Sequence, residues 1–271
     1  MTEVKKGRTK RRIIRVLVGL GILAAIIAIV GYFALKPAEV KVLVFSKTEG
    51  FRHESIEPGI AAIEKIGEAN NFTVVATEDA ENFNQDYLKD FMAVVFLNTT
   101  GNVLDPVQQS QMERFIQAGG GFVGIHAATD TEYGWPWYGK LVGAYFDSHP
   151  LNPNVQEGEV TIVQPNHAAT DSLPPSWTVA DEWYNFKSIE PTNTILITLD
   201  ESTYEGGTNG ANHPISWYKE YDGGRSFYTG FGHTNEQFSD AKFLSRASWN
   251  ASLFRNFLYA CGLFLNSPFD G

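Results

Sequence analysis

The stretch that most constrains this chain is Gly119-Gly120-Gly121-Phe122-Val123-Gly124-Ile125-His126-Ala127-Ala128-Thr129-Asp130. Phe122 to Ile125 is a short apolar run with the length of a buried strand, and Gly119 suits the left-handed cap of a preceding helix. The run stops at a histidine. A polar residue presented where a buried strand ends is the geometry of a nucleophile elbow in α/β enzymes. Here that position holds His126 in place of a serine or cysteine. The bland alternative is a solvated histidine at a strand end, so partners for His126 decide between the two.

Upstream, apolar runs at Val40–Phe45, Phe72–Ala76 and Ala93–Leu97 read as strands. Ser55 is a candidate N-cap for an amphipathic helix through Ile60, Ile63 and Ile66. A short helix is expected around Asp86–Phe91. Another opens at Asp105-Pro106, with Asp as cap and Pro at the first position, and runs to Gly119. Strands and helices alternating over about 90 residues, with strands apolar on both faces, predict a parallel sheet covered by helices. Ligands bind at the carboxyl ends of strands in such sheets, which makes the loops bearing His53 and His126 candidate neighbours. Downstream, Gly134-Trp135-Pro136-Trp137-Tyr138-Gly139 starts a short helix to Phe146. Strands are expected at Glu159–Val163, Trp177–Ala180, Thr194–Leu199, Ile215–Tyr218 and Arg225–Thr229, with a hairpin turn at Asp222-Gly223-Gly224. A C-terminal helix is expected over Ala241–Leu263.

The net charge of −10 conceals two different objects. Residues 1–40 hold eight of the 21 Lys+Arg and two of the 31 Asp+Glu, which leaves 13 − 29 = −16 for the remainder. An acidic body repels phosphate backbones, so no nucleic-acid partner is expected. The basic residues 1–12 precede an apolar segment at 13–35, interrupted only by Arg15. Its length suits a helix crossing a bilayer core of about 30 Å and exceeds a signal-peptide apolar region of about 7–15 residues. The expected organisation is a cytoplasmic N-terminus (1–12), a transmembrane signal anchor (13–35), a linker (36–39), one domain (40–265) and a tail (266–271). The positive-inside rule places the domain outside the cytoplasmic membrane. A cleaved signal peptide is the alternative. The single cysteine, Cys261, excludes an intramolecular disulfide and sits in an apolar context suited to a buried thiol.

Several motifs taken in order resemble the ThuA-like (trehalose-utilisation) family: Ser46…Gly50-Phe51-Arg52-His53 with Ser55, Gly121 to Asp130, Asn166-His167-Ala168-Ala169-Thr170, Asp181-Glu182-Trp183-Tyr184, His213-Pro214-Ile215-Ser216-Trp217 and Gly230-Phe231-Gly232-His233-Thr234. Ala168 stands where the family pattern has proline. The resemblance implies an α/β fold of the class I glutamine-amidotransferase-like type, a flavodoxin-like three-layer sandwich with a mainly parallel central sheet, here preceded by one transmembrane helix. The amidotransferase nucleophile is an elbow cysteine. With His126 at that position, glutamine amidotransfer is not expected. The resemblance also implies a sugar-utilisation context, often beside oxidoreductases that make 3-keto glycosides.

His53, His126, Glu182 (or Asp181) and His233 each follow a strand-like run, so all four are candidates for one carboxyl edge. Histidines with a carboxylate suit a divalent metal site or metal-free acid–base catalysis. No close-spaced His-x-x-x-His pair marks a metal. No glycine loop follows a strand in the way nicotinamide or flavin binding requires, so no further cofactor is expected. Trp135 and Trp137 could wall a sugar pocket with flat aromatic faces, or close the sheet edge as core. His167 and His213 read as loop or turn histidines, and His149, close after the elbow helix, is either a site residue or a solvated loop histidine. Asp130 either orients His126 or caps a turn, and Arg52 binds a substrate oxygen or pairs with Glu49 or Glu54. The leading expectation is a membrane-anchored, extracytoplasmic enzyme acting on a small-molecule glycoside or keto-sugar. The alternatives are a non-catalytic carbohydrate-binding domain on the same scaffold and a partner-docking module.

Overall fold

A parallel sheet needs strands that are apolar on both faces, and the first half of the chain supplies them. In the structure, a computed structural model, β1 is Val40–Phe45, β2 Phe72–Thr77, β3 Ala93–Leu97 and β4 Gly121–Ile125. Val42 to Phe45 and Ala93 to Leu97 are wholly buried. Each such side chain contributes roughly 1.5–3 kcal/mol on removal from water. Helix α1 (Ile56–Asn70) buries Ile56, Ile63 and Ile66. The short α2 (Gln85–Leu88) and α3 (Pro106–Gln117) follow. Asp105 caps α3 in a reciprocal capping box with Gln108. Gly119 takes φ +99 just beyond α3, as its left-handed role requires.

Described are residues 17–19, 21–22, 40–167, 169–171 and 173–239. Residues 17–19 and 21–22 are helical. The rest of the anchor expected at 13–35, the segments 1–12 and 36–39, the helix expected at 241–263, Cys261 and the tail lie outside the described residues. Among the described residues, no helix is long and apolar enough to cross a membrane.

The second half runs α4 (Pro136–Val142), β5 (Tyr145–Ser148), β6 (Val155–Ile162), β7 (Ser176–Glu182), β8 (Asn185–Lys187), β9 (Thr194–Asp200), β10 (His213–Tyr221), β11 (Gly224–Thr229) and α5 (Asn235–Ser239). Nine strands form one sheet in the order β2-β1-β3-β4-β11-β10-β9-β6-β7, while β5 and β8 pair separately. The first five are parallel neighbours and every later pairing is antiparallel. Following those directions, seven of the nine strands point the same way, β7 and β9 included. The carboxyl end of β7 therefore faces the same side as that of β4.

Five strand spacings separate β4 from β7, about 24 Å across a flat sheet. Yet Glu182 at the end of β7 lies 3.3 Å from His126 at the end of β4. The antiparallel half therefore curls over the carboxyl edge of the parallel half. Register shifts in β10 at Pro214/Ser216 and Ser216/Trp217 lie where such curvature is needed. The β10–β11 turn has Asp222 at φ +48 and Gly223 at φ +92, the two positive values a tight hairpin demands.

Three local expectations are corrected. Ser55 does not cap α1: its hydroxyl donates to the Gly232 carbonyl instead, 2.8 Å away. The chain does not stay helical to Phe146, because Gly143 takes φ +96 and ends α4. Asp181 and Glu182 close β7 itself, where only Trp177–Ala180 was expected to be strand.

Candidate metal centre

His126 is the first residue after β4 and takes φ +47. A non-glycine residue held there costs roughly 1–3 kcal/mol, so its surroundings must hold it in place. They do. Its Nδ1 lies 2.9 Å from the Gly230 carbonyl, and its own carbonyl accepts from the Tyr228 hydroxyl at 2.8 Å. A carbonyl only accepts, so Nδ1 carries the ring proton and donates it. Nε2 is left with its lone pair, fully buried and without a hydrogen-bond partner.

That lone pair faces Glu182 Oε2 at 3.3 Å, and His233 Nδ1 lies 3.1 Å from the same oxygen. His53 completes the group. Its ring stands edge-on to His126 and His233, with centroids 5.0 and 5.1 Å away. One donor atom from each of His53, His126, Glu182 and His233 lies within 4.8 Å of the others. The structure thus brings together all four residues singled out in the sequence.

This donor set fits a divalent cation. His53 Nδ1, His126 Nε2 and His233 Nδ1 are all buried without a hydrogen-bond partner, a state that normally demands explanation. An imidazole lone pair against a carboxylate oxygen is repulsive unless something positive lies between them. Two donors each 2.0–2.1 Å from a tetrahedral ion sit about 3.3 Å apart, close to the separations of Glu182 Oε2 from His126 and His233.

Supporting contacts fix the ligands. Glu182 Oε1 faces His149 Nδ1 at 3.3 Å and accepts from Asn154 Nδ2 at 3.4 Å, which turns Oε2 toward the histidines. Asp181 is a clasp. It accepts from the Gly232, His233 and Glu182 backbone N–H groups at 2.8, 3.2 and 3.0 Å, tying the end of β7 to the His233 loop. Asn98, at φ +51 after β3, donates to Ser55 Oγ and to the Gly232 carbonyl. Gly232 itself takes φ +119, which a side chain resists.

Electrostatics follow from burial and proximity. Burial, with His126 and His233 nearby, pulls His53 down to about 3, so it is neutral at pH 7. Burial alone pushes the Glu182 carboxyl up, but the His126 and His233 imidazoles beside it outweigh burial and hold the group well below the usual carboxylate range. Burial disfavours charge on His233, yet Glu182 raises it above the usual imidazole value. Asp181 is raised by burial.

The tryptophans are a correction. Trp135 stacks on Trp137 and donates to Glu113, while Trp137 donates to Asp222 in the β10–β11 turn. That turn lies at the amino end of β4, one strand length of roughly 16 Å from His126. These indoles close the opposite end of the sheet. The aromatic wall of the cluster is instead Tyr184, whose ring centroid is 4.1 Å from that of His126, and Phe51, 66% exposed and edge-on to His53. Tyr184 was visible in the Asp181–Tyr184 motif, but nothing in the spacing told its ring from that of Trp183. His213 is buried, bonded to Glu201, Tyr204 and the Tyr184 carbonyl, and makes no approach to the cluster. His167 stacks on Tyr218. Arg52 pairs with Glu57 and Glu78, in place of the Glu49 or Glu54 expected.

Solved structures share this architecture. A ThuA-like protein from Bacteroides uniformis is 25% identical, with a TM-score of 0.67 over 82% of this chain and 91% of its own. One from Parabacteroides merdae is 19% identical, with a TM-score of 0.67 over 84% and 92%. A cytoplasmic protein from Salmonella typhimurium LT2 is 13% identical, with a TM-score of 0.58 over 82% and 99%; likenesses this low in identity speak for the fold alone. No curated protein sequence matches significantly. The family model described as ThuA, trehalose utilisation, matches residues 41–248, which span all four cluster residues, and the chain belongs to that family.

Proposed function

We propose that His53, His126, Glu182 and His233 hold a divalent metal ion in an enzyme that acts on a glycoside or keto-sugar. The observation that carries this is the set of three buried, unpartnered imidazole nitrogens facing one carboxylate. The sugar class follows from the family's association with trehalose utilisation. A bound ion would polarise a carbonyl or activate water.

The chain's own residues prepare that chemistry. The Gly230 carbonyl keeps the proton on His126 Nδ1 and Nε2 free. Asn154 donates to one Glu182 oxygen, with His149 beside it, so that the other oxygen points inward. Phe51, exposed and edge-on to His53, offers a flat face to the apolar side of a sugar ring, while buried Tyr184 backs His126. The carbohydrate-binding alternative depended on Trp135 and Trp137, and both indoles are engaged elsewhere. Metal-free acid–base chemistry through His233 and Glu182 is a second mechanism, favoured by the raised value of His233. In this proposal residues 13–35 anchor the enzyme with its body outside the cytoplasm, on the strength of their apolar length and the basic residues before them.

The test uses the full-length protein in detergent, with metal content measured and turnover followed on a panel of glucosides and 3-keto glucosides. Turnover abolished by chelator and restored by one divalent ion supports the metal mechanism. Chelator-insensitive turnover selects the acid–base mechanism. A protein that takes up no ion and turns over no sugar overturns the enzyme reading. Protease protection in intact cells tests the orientation.

A further inference from the structure

Asp130 ends the turn that begins at His126, and its side chain makes no bond to that histidine. The orienting role falls to the Gly230 carbonyl, so the Asp130 carboxylate is free for something else. Its Oδ1 accepts from the Tyr133 hydroxyl at 2.6 Å, and the same hydroxyl lies 3.2 Å from the Phe146 carbonyl. Phe146 packs on Tyr184, which packs on His126, so these residues continue the aromatic wall of the cluster. Oδ2 has no hydrogen-bond partner among the described residues, and the half-buried side chain reaches solvent. The charges that act on it come from Lys187, His126 and His149.

We propose that Asp130 is the general acid of this site, giving a proton from Oδ2 to the departing oxygen of a glycoside held against the four-donor cluster. This rests on the enzyme reading above. In hydrolysis the sugar C–O bond breaks with its electron pair on the departing oxygen, which takes the Asp130 proton and leaves as an alcohol. The oxygen of a water molecule forms the new bond to the sugar carbon, and a proton from that water restores the Asp130 carboxyl. Geometry suits the role: one oxygen is pinned by Tyr133, which also reaches the Phe146 carbonyl on the aromatic side of the cluster, and the other has no partner in a side chain that reaches solvent. Burial raises the Asp130 carboxyl, the direction a proton donor needs.

The experiment compares the full-length parent with D130N and D130A. One substrate is a nitrophenyl glycoside, whose leaving group needs no proton, and the other an alkyl glycoside, whose leaving group does. The expected result is unchanged metal content and a kcat on the alkyl glycoside lower by about 10²–10⁴-fold. KM should stay within a few-fold, the nitrophenyl substrate should be largely spared, and formate should partly rescue D130A. An active parent whose D130N variant keeps parental kcat overturns the proposal alone. So does an equal loss on both substrates without rescue, which is the mark of a structural role. A parent that turns over neither glycoside overturns this proposal together with the enzyme reading.

Discussion

The two halves of the sheet are built on opposite plans. In the parallel half, β3 and β4 are buried end to end and β1 from Val42 onward, and loops after β1 and β4 present His53 and His126. In the antiparallel half, the outer strands β6 and β7 mix exposed, half-buried and buried positions, and within that pair only Asp181 and Glu182 at the end of β7 are consecutively buried. The parallel half gives a floor of imidazoles. The antiparallel half brings the one charged donor by curling over it. A site of this kind is a seam, and each half alone lacks part of the donor set.

The seam predicts a hierarchy of damage. Glu182→Ala removes the entire contribution of the antiparallel half and leaves three imidazoles with no anion. The expected loss is more than about 100-fold in affinity for a divalent ion, measured by calorimetry, with turnover falling alongside; second-shell changes cost only about 10–100-fold. Parental affinity in this variant would remove the seam from the argument. Asp181→Ala cuts the clasp without touching a donor. It leaves backbone N–H groups buried and unpaired at roughly 1–3 kcal/mol each, so the melting temperature should drop, and ion affinity should weaken by about 10–100-fold. An unchanged affinity would mean that Glu182 and His233 are placed independently.

Acidity separates the halves more finely. His53 stays neutral in the fold down to about 3, while the unfolded chain takes up that proton near 6.5. Between those values the unfolded state binds more protons, so stability falls as pH falls. Glu182, held low, adds loss in the same direction below its ordinary value of 4.5. His233 acts oppositely: its raised value favours the fold below about 6.5 and loses that contribution as pH rises. Denaturant melts of the metal-free protein should show a net loss of roughly 1–3 kcal/mol from pH 6.5 to 4, and His53→Gln should flatten that slope. The smallest effect belongs to Trp137→Phe, at the far end of the sheet. Ion affinity and turnover should stay at parental values, with stability lower by about 0.5–1.5 kcal/mol from the lost bond to Asp222.

What the sequence revealed follows the same division. Strands β3 and β4, and β1 from Val42 onward, were legible because residues buried on both faces leave unbroken apolar runs. The four donors were legible because each follows such a run or a motif. The curl was not legible, since nothing local in Ser176–Glu182 records which distant strand end it will meet. Trp135 and Trp137 misled for a related reason. They follow His126 closely in sequence, but α4 carries them back down to the amino edge, where Glu113 and Asp222 hold them. Ser55 looked like a cap, and its hydroxyl was taken by a carbonyl 177 residues away.

The four donors are separated along the chain by roughly 50 to 75 residues each, so no short segment holds two of them. A captured ion would therefore act as a four-armed cross-link, closing three large loops at once. It would bind almost nothing in the denatured chain, where bringing the arms together costs loop-closure entropy with no scaffold to offset it. Global unfolding of the loaded protein should then release the ion, which would serve as a reporter of the whole fold.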